Sequence, residues 1–402
     1  MEGLTKPLTV IDIFMDAFQS AAVAAVALVL GLVLVRHSKV LKKFCIPAAV
    51  IGGLIFALAA LVFHWLDFAE FYFDDTLKTI SMNIFFASVG FMASFKMLRA
   101  GGKIVAILIA LVGLLIIIQN AIGIAAANIF GLDPLMGLSM GSIGLLGGHG
   151  TAAAYGEILV KDYGLVGADT VCIAMATFGL AIASFVGGPL GSHIVRKKDL
   201  HPSEEDMNMV VKEEEHPINK FRFLHGMIVL IICIGLGTLF QDFMTDLGIT
   251  IPSYFGGMLL AFIVRNVMEK RGMDIPIHEV EVMGWICLAL FLAMAISGLQ
   301  LWTISGLALP MIVTVLIQLV VLILFVYFIV FRATGRNYES AALVSGVTGF
   351  GMGATPNAMA NMEALTNEYG PAPLAYFIIP IIGGVFLDIL NVTVLTILLN
   401  TL

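Results

Sequence analysis

The chain contains an internal duplication, in which groups of glycine, proline and aromatic residues recur about 204 positions apart. The run GGHGT at 147–151 is matched by GMGAT at 351–355. Further pairs keep nearly the same spacing: Pro47 and Pro252, Gly52 and Gly256, Phe86 and Phe291, Gly131 and Gly335, and Tyr163 and Tyr369. Matches at one steady offset indicate that the chain consists of two related halves.

The composition excludes a water-soluble fold. Of the 402 residues, 60% are hydrophobic and only 12% are charged, and the mean hydropathy is +1.02. A helix needs about 20 apolar residues to cross a hydrocarbon core roughly 30 Å thick. Ten runs are predicted to do so: 18–35, 45–66, 79–95, 104–130, 170–193, 224–243, 251–264, 280–299, 307–331 and 373–399. We therefore expect an all-α integral membrane protein with about ten transmembrane helices.

Two further apolar stretches are too often interrupted by glycine, alanine and proline to count as spans. They lie at about 135–158 and 340–362, one in each half of the chain. We expect each stretch to be a re-entrant hairpin, which enters the membrane and leaves on the same side. Each half then has five spans and one hairpin.

Charge placement predicts the orientation, because cytoplasmic loops collect lysine and arginine near the ends of spans. With the N-terminus outside, only Lys6, Lys78 and Lys161 lie outside, which leaves eighteen of the 21 basic residues on the cytoplasmic side. Both termini are therefore predicted outside. An odd number of spans in each half inverts the second half relative to the first, so we expect inverted repeats at 1–195 and 223–402.

The segment that joins the two halves and the segment before the first span each give a further prediction. Residues 196–222 join the halves on the cytoplasmic side and contain acidic clusters at 204–206 and 213–215. We interpret them as a solvated linker rather than a regulatory or partner-binding region. Near the N-terminus, Leu4, Leu8, Ile11 and Phe14 could form one apolar face of a helix. This spacing predicts a short interfacial helix on the outside of the membrane.

The two interrupted stretches are the predicted site of chemistry. Backbone groups that leave a helix at membrane depth are costly unless protein, water or a ligand satisfies them, and glycine lets a solute approach the backbone. A helix that begins after such a break points free N–H groups and a positive dipole end at the gap, which suits a carboxylate. Matched breaks in repeated halves are typical of secondary transporters. Tight helix packing is the alternative for the glycines.

The predicted substrate site takes residues from both glycine clusters. Thr151 and Thr355 follow the breaks, where a hydroxyl can cap the new helix or reach the solute. His149 can donate to a carboxylate or hydrogen-bond across the hairpin. Neither cluster contains lysine or arginine, so an anion depends on N–H groups, hydroxyls and a bound cation. The full set is Gly147, Gly148, His149, Gly150, Thr151, Gly351, Gly353, Ala354, Thr355, Asn357 and Asn120.

Polar side chains inside the spans predict the cation site. Asp388 and Asn391 are three residues apart, so they share a helix face and can converge on one ion. No lysine or arginine lies mid-span to pair with Asp388, which favours a cation ligand or a proton carrier. Interhelical hydrogen bonds are the alternative for Gln119, Asn120 and Gln318. The predicted ligands of the cation, Na⁺, are Asp388, Asn391, Thr348 and Gln119.

Four motifs carry a resemblance to a known family. They are GGHGT at 147–151, GFGMGATP at 349–356, AMANM at 358–362 and QNAIG at 119–123. Together with the length and the spacing of Asp388 and Asn391, they make the whole chain resemble the bacterial sodium/glutamate symporter family. The resemblance implies Na⁺-driven glutamate uptake across the cytoplasmic (inner) membrane, by a homodimer whose core domains move against a fixed scaffold.

Three positions depart from the family pattern. Leu146, Ala152 and Asn357 stand where a small polar residue, glycine and threonine are usual. These departures keep open a Na⁺ symporter of another dicarboxylate or hydroxycarboxylate, such as malate or citrate. A receptor or an intramembrane enzyme is the other alternative, but adjoining spans show no Ser–His or paired-Asp arrangement, and we see no appended signalling domain. We expect no enzymatic activity, no cofactor besides the coupling ion and no nucleic-acid partner.

Overall fold

The structure is a computed structural model that describes residues 11–39, 41, 47–100, 102–203, 217–247, 251–304 and 306–402. The acidic part of the predicted linker, 204–216, lies outside the described residues, as do Leu4 and Leu8 of the predicted interfacial helix. The described chain is helical almost throughout. A helix satisfies its backbone N–H and C=O groups within its own segment, which hydrocarbon surroundings require.

Helices form at all ten predicted spans and at both interrupted stretches. In chain order they are α1 Ala17–His37, α2 Ala48–Trp65, α3 Thr76–Met92, α4 Gly102–Ile129, α5 Pro134–Ser139, α6 Gly148–Lys161, α7 Ala168–Lys198, α8 Lys220–Asp246, α9 Phe255–Lys270, α10 Ile277–Ser297, α11 Ala308–Ala333, α12 Tyr338–Gly351, α13 Thr355–Tyr369 and α14 Pro373–Leu399. Shorter turns of helix occupy Phe95–Ala100 and Leu301–Ile304. Single π-helical turns interrupt α11 at Val326–Val330 and α14 at Ile382–Phe386.

By length and composition, eight helices of the described chain can cross a membrane: α1, α2, α4, α7, α8, α10, α11 and α14. The chain is therefore a multi-pass membrane protein. The remaining predicted spans, α3 and α9, are helices of 17 and 16 residues, below the roughly 20 residues of a straight crossing. The ten-span prediction is confirmed for eight helices, and for α3 and α9 it stays a prediction.

Each half contains a pair of helices separated by a break, at the positions predicted for the hairpins. The first broken segment, 134–161, consists of α5, turns at 140–147, and α6. The second broken segment, 338–369, consists of α12, a break at 352–354, and α13. Asp133 caps α5 through the Leu135 N–H, and Asn337 caps α12 through the Ser340 N–H. These caps fix where each broken segment begins.

One small sheet departs from the all-α prediction. Strand β1, Ile11–Phe14, pairs in parallel with strand β2, Ala69–Tyr72. The described part of the predicted interfacial helix is therefore wrong. Ile11 and Ile13 are β-branched, and such residues favour a strand once a partner is present. Asp16 then begins α1 as its N-cap, because its carboxylate accepts from the Gln19 N–H.

The helices pack into two groups. We name α1, α2, α3, α8, α9 and α10 the scaffold group, and α4–α7 with α11–α14 the core group. Contacts within each group are extensive, and those between the groups are chiefly α6 with α10 and α14 with α3. Within the scaffold group, Phe86 of α3 stacks on Tyr254 at the start of α9, with ring centroids 3.7 Å apart. The two groups therefore meet through fewer residues than pack within either group.

The packing of the scaffold group repeats between the halves. Helix α1 packs on α2 as α8 packs on α9, and α2 packs on α10 as α9 packs on α3. The matched glycines lie at equivalent crossings. A Cβ on Gly52 would come within 1.7 Å of the Ala27 carbonyl oxygen, and one on Gly256 within 2.2 Å of the Gly237 carbonyl oxygen. Both positions therefore permit the same close approach of neighbouring helices.

Candidate functional site

A cavity of about 250 Å³ lies at the boundary between the core group and the scaffold group. Both breaks and α14 line it from the core side. The wall on the scaffold side is apolar and consists mainly of Phe85 and Val89 on α3 and Leu288 and Leu292 on α10. The polar groups that could orient a solute therefore come from the core group.

The two breaks meet at this cavity. Gly148 has a φ of +62°, in the left-handed region that favours glycine. A Cβ built on Gly148 would lie 3.2 Å from the carbonyl oxygen of Gly353. The structure thus brings the duplicated glycine motifs into contact, one from each half of the chain.

Nine of the fifteen residues predicted for the substrate and cation sites line the cavity. They are Gly147, Gly148, His149, Gly150, Thr151, Gly353, Ala354, Thr355 and Asp388. The other six lie outside the cavity lining: Gln119, Asn120, Thr348, Gly351, Asn357 and Asn391. The cavity is therefore the candidate substrate site.

The hydroxyls of the two threonines do not cap helices, which was one of their predicted roles. Helix α6 begins at Gly148, so Thr151 is its fourth residue, and α13 begins at Thr355 with no side-chain bond at its cap. Thr151 Oγ1 is buried and has no hydrogen-bond partner within the described ranges. An unsatisfied buried group costs about 1–3 kcal/mol. Its place on the cavity wall favours the other alternative, a hydroxyl that reaches the solute.

His149 hydrogen-bonds to the neighbouring helix rather than across the first broken segment. Its side chain is 6% exposed, and Nε2 lies 3.0 Å from Thr177 Oγ1 on α7. Thr177 Oγ1 in turn lies 2.9 Å from the carbonyl oxygen of Ile173. The imidazole is thus held on the cavity wall by a side chain that the sequence analysis did not single out.

Ser142, in the first break, connects two of the predicted site residues. Its N–H donates to Asn120 Oδ1 at 3.1 Å, and Asn120 Nδ2 donates to Ser142 Oγ at 2.8 Å. Ser142 Oγ donates to Asn391 Oδ1 at 2.7 Å, and Asn391 Nδ2 lies 3.4 Å from the Ser142 carbonyl oxygen. Both amides therefore hold the break between α4 and α14. Ser142 itself was missed, although a serine inside a glycine-rich break was an available signal.

Gln119 and Gln318 join the two halves within the core group. Gln119 Nε2 donates to the Gly351 carbonyl oxygen at 2.7 Å, and Gln318 Nε2 donates to the Gln119 carbonyl oxygen at 2.8 Å. These are the interhelical bonds left open as the alternative. Oε1 of each glutamine is buried without a partner in the described chain. Gln119 therefore keeps a free oxygen of the kind that a hard cation requires.

Asp388 is the one acidic side chain among the described residues that line the cavity. It follows the π-helical turn of α14, whose Gly383 and Gly384 also line the cavity, and such turns are frequent at functional sites. Among the described lining residues there is no lysine or arginine. A bound cation could balance a charge on the Asp388 carboxylate, since no lysine or arginine there does so.

The second broken segment is anchored on α7 and along its own helix. Asn357 Nδ2 donates to the Leu180 carbonyl oxygen at 3.1 Å and to the Ser184 hydroxyl. Thr348 Oγ1 donates to the Val344 carbonyl oxygen, one turn earlier, at 2.7 Å. Asn357 and Thr348 were predicted to bind substrate and cation, and here both are fully buried and make structural hydrogen bonds.

A ring of two lysines and two carboxylates joins the two groups. Asp75 and Lys78 lie at the start of α3, and Glu157 and Lys161 at the end of α6. Lys78 Nζ lies 2.7 Å from Asp75 and 3.1 Å from Glu157, and Lys161 Nζ lies 2.6 Å from Asp75 and 2.7 Å from Glu157. Burial acts to raise the pKa of Asp75, but the two lysines hold it below its usual value. Asp75 therefore stays charged at neutral pH and loses its charge only as the pH falls through that lowered pKa.

Comparison with known proteins agrees with the resemblance carried by the motifs. The family model described as sodium/glutamate symporter matches residues 13–371. The chain is 37% identical over 387 residues to the sodium/glutamate symporter of Escherichia coli (strain K12). The aligned residues make up 95% of this chain and 96% of that protein. The chain is 34% identical over 388 residues to the sodium/glutamate symporter of Haemophilus influenzae, with 94% and 96% covered. The chain belongs to the sodium/glutamate symporter family.

Proposed function

We propose that this protein carries glutamate into the cell together with Na⁺ and binds both at the cavity between the two breaks. One observation supports this most directly: glycine breaks from both halves meet at a cavity that also contains the Asp388 carboxylate. Transporters built from repeats bind their substrates where such broken helices meet. Membership of the sodium/glutamate symporter family gives the substrate and the ion.

The cavity suits a dicarboxylate that arrives with a cation. Helix α6 begins at Gly148 and α13 at Thr355, so both present free N–H groups and positive dipole ends beside the breaks. The hydroxyl of Thr151 adds a further donor. Since no lysine or arginine lines the described cavity, Na⁺ supplies the positive charge that Asp388 and the substrate need. Substrate binding and ion binding are thereby coupled.

We propose the same domain organisation that the sequence predicts. The first repeat is 1–195, the second is 223–402, and 196–222 is the cytoplasmic linker. The repeats are inverted, both termini lie outside, and the two broken segments are re-entrant hairpins. The equivalent packing of α1–α3 and α8–α10 supports this arrangement. A homodimer in the inner membrane of a bacterium is proposed from the family resemblance alone.

Alternating access is the transport mechanism that the two groups favour. The cavity lies beside Phe85 on α3, and the ion-pair ring joins the same groups at Lys78 of that helix. Seven residues separate these positions, which is about 10 Å along a helix. The ion pairs therefore join the two groups about two helical turns from the cavity. We infer that the core group moves against the scaffold group and that the ring opens in each cycle.

Cross-linking the ring is expected to stop transport. Asp75→Cys with Lys161→Cys, in a background without native cysteines, lets a short bifunctional thiol reagent join the scaffold group to the core group. Because the groups can then no longer move apart, uptake should fall by at least about tenfold. Glu157→Cys with Lys161→Cys is the matched control, since both residues lie on α6 and their cross-link spans no boundary. Undiminished uptake after complete cross-linking of the first pair contradicts the proposed movement.

Uptake into proteoliposomes tests the function itself. Labelled glutamate should accumulate under an inward Na⁺ gradient and not under an equal K⁺ gradient, because only Na⁺ is coupled. Excess unlabelled malate or citrate is expected to leave glutamate uptake largely unchanged. Equal uptake under both gradients refutes Na⁺ symport. Strong inhibition by malate or citrate, with weak inhibition by glutamate, makes a hydroxycarboxylate the substrate instead.

A further inference from the structure

The hydrogen bonds of His149 determine which ring nitrogen carries the proton. Nε2 lies 3.0 Å from Thr177 Oγ1, and that hydroxyl lies 2.9 Å from the Ile173 carbonyl oxygen. A carbonyl oxygen can only accept, and a threonine hydroxyl has a single proton. If the hydroxyl donated to the imidazole, two oxygens without a proton between them would face each other at 2.9 Å. The hydroxyl therefore donates to Ile173, and Nε2–H donates to the hydroxyl.

Nδ1 of His149 is then an acceptor, because a neutral imidazole carries one proton. In the part of the chain that the structure describes, Nδ1 has no hydrogen-bond partner. The residue lines the cavity at the first break, beside Gly148 and Thr151. Of the two ring nitrogens of this cavity-lining residue, Nδ1 is therefore the one left to accept a hydrogen bond from a solute.

We propose that Nδ1 of His149 accepts a hydrogen bond from the 2-amino group of the transported amino acid. This role rests on the proposed function and adds a specificity-determining residue to it. Both carboxylates of glutamate are acceptors at neutral pH, so its ammonium group is the donor that can pair with Nδ1. The carboxylates remain for the N–H groups and the Thr151 hydroxyl.

The same contact distinguishes related dicarboxylates by the group on carbon 2. Glutarate has no polar group there and leaves Nδ1 unpaired, and 2-oxoglutarate places a carbonyl acceptor opposite it. A site built to pair with a substrate donor rejects analogues that lack one, because its own buried group is left unsatisfied. We expect the wild type to bind glutamate roughly 10- to 100-fold more tightly than either analogue.

Two substitutions separate this role from a purely structural one. His149→Asn places an amide oxygen near the position of Nδ1 and has no group that reaches Thr177. His149→Gln does the reverse, since its longer side chain can bring an amide nitrogen to Thr177 and nothing replaces Nδ1. Competition binding with purified protein in saturating Na⁺ measures the affinities for glutamate, glutarate and 2-oxoglutarate.

The preference for glutamate over glutarate is the decisive readout. We expect His149→Gln to weaken glutamate binding roughly 10- to 100-fold while changing glutarate binding little, so that the preference disappears. His149→Asn is expected to keep it. The proposal is overturned if His149→Gln keeps the preference for glutamate and His149→Asn loses it. That result leaves His149 only a structural role. Loss of the preference in Asp388→Asn alone also overturns it, because the amino group then pairs with Asp388.

Thr177→Val keeps the proposal testable if His149→Gln does not fold. Valine removes the acceptor that holds the proton on Nε2, so the preference for glutamate over glutarate should fall several-fold. An unchanged preference in Thr177→Val overturns the proposal. Wild-type protein that binds no glutamate in Na⁺ refutes the proposed function instead. Wild-type binding together with an intact preference in His149→Gln refutes the role of His149 alone.

Discussion

Replacing Gly148 with valine is expected to abolish Na⁺-driven glutamate uptake while leaving the protein folded. Gly148 has a φ of +62°, and a Cβ there would lie 3.2 Å from the Gly353 carbonyl oxygen. The two methyl groups of valine extend beyond Cβ, into the space where the breaks meet and the solute must bind. Because these methyl groups occupy the space of the solute and displace the groups that bind it, uptake into proteoliposomes should fall at least about 100-fold.

Gly164→Val is the matched control for this substitution. Gly164 also has a left-handed φ, of +70°, but a Cβ on it would meet nothing within 4 Å. Both variants therefore introduce a similar backbone strain, about 1–2 kcal/mol for a side chain in this region. Only Gly148→Val also fills the cavity. Thermal unfolding in detergent checks that both are folded. Equal uptake by the two folded variants would falsify the assignment of this cavity to the substrate.

The positions of the helices were predictable because hydrocarbon surroundings leave the backbone few alternatives. Every apolar run predicted as a span contains a helix, since N–H and C=O groups must be satisfied within the segment. Helix α9 has only 16 residues, fewer than the roughly 20 of a straight membrane crossing. Its last turns are charged, and Arg265 lies 3.3 Å from Glu269. Strand β1 was missed because four residues carry little periodicity and their partner strand begins only at Ala69.

The glycine breaks were predictable, and the roles of the surrounding amides were not. Two glycine clusters related by one offset predicted where the halves meet, and the contact of Gly148 with Gly353 agrees. Asn120 and Asn391 show the same sequence signal as a cation ligand, a polar side chain inside a span, yet both bond to Ser142. A bound ion and a broken backbone both need polar partners in an apolar region, so they select the same residue types.

The sequence contains part of the pattern that forms the ion-pair ring, but the ring itself was not predicted from it. Lys78 and Lys161 are two of the three lysines predicted outside, on the face that carries few basic residues. A carboxylate lies three residues before the first and four before the second, Asp75 and Glu157. Each lysine therefore had a partner on its own helix. Their pairing across the boundary depends on how α3 and α6 pack, which spacing along the chain does not contain.

Asp388→Asn is expected to uncouple glutamate binding from Na⁺. When ionised, Asp388 adds one negative charge to the cavity. Glutamate adds another, since its two carboxylates are offset by one ammonium group. The described residues that line the cavity include no lysine or arginine. The amide keeps the shape of the side chain but removes one charge, and a neutral oxygen is a weaker ligand for a hard cation. Glutamate should then bind more tightly without Na⁺, and Na⁺ more weakly without glutamate.

The two directions of this coupling must change together. If Na⁺ tightens glutamate binding by some factor, glutamate tightens Na⁺ binding by the same factor. A wild-type factor of about 5 to 150 is expected to fall toward one in Asp388→Asn, as measured by calorimetry with and without the second ligand. Asp162→Asn, at an exposed carboxylate after α6, should keep the wild-type factor. An unchanged factor in Asp388→Asn places the cation elsewhere, and the buried, unpaired oxygens of Gln119 and Gln318 are then its next candidate ligands.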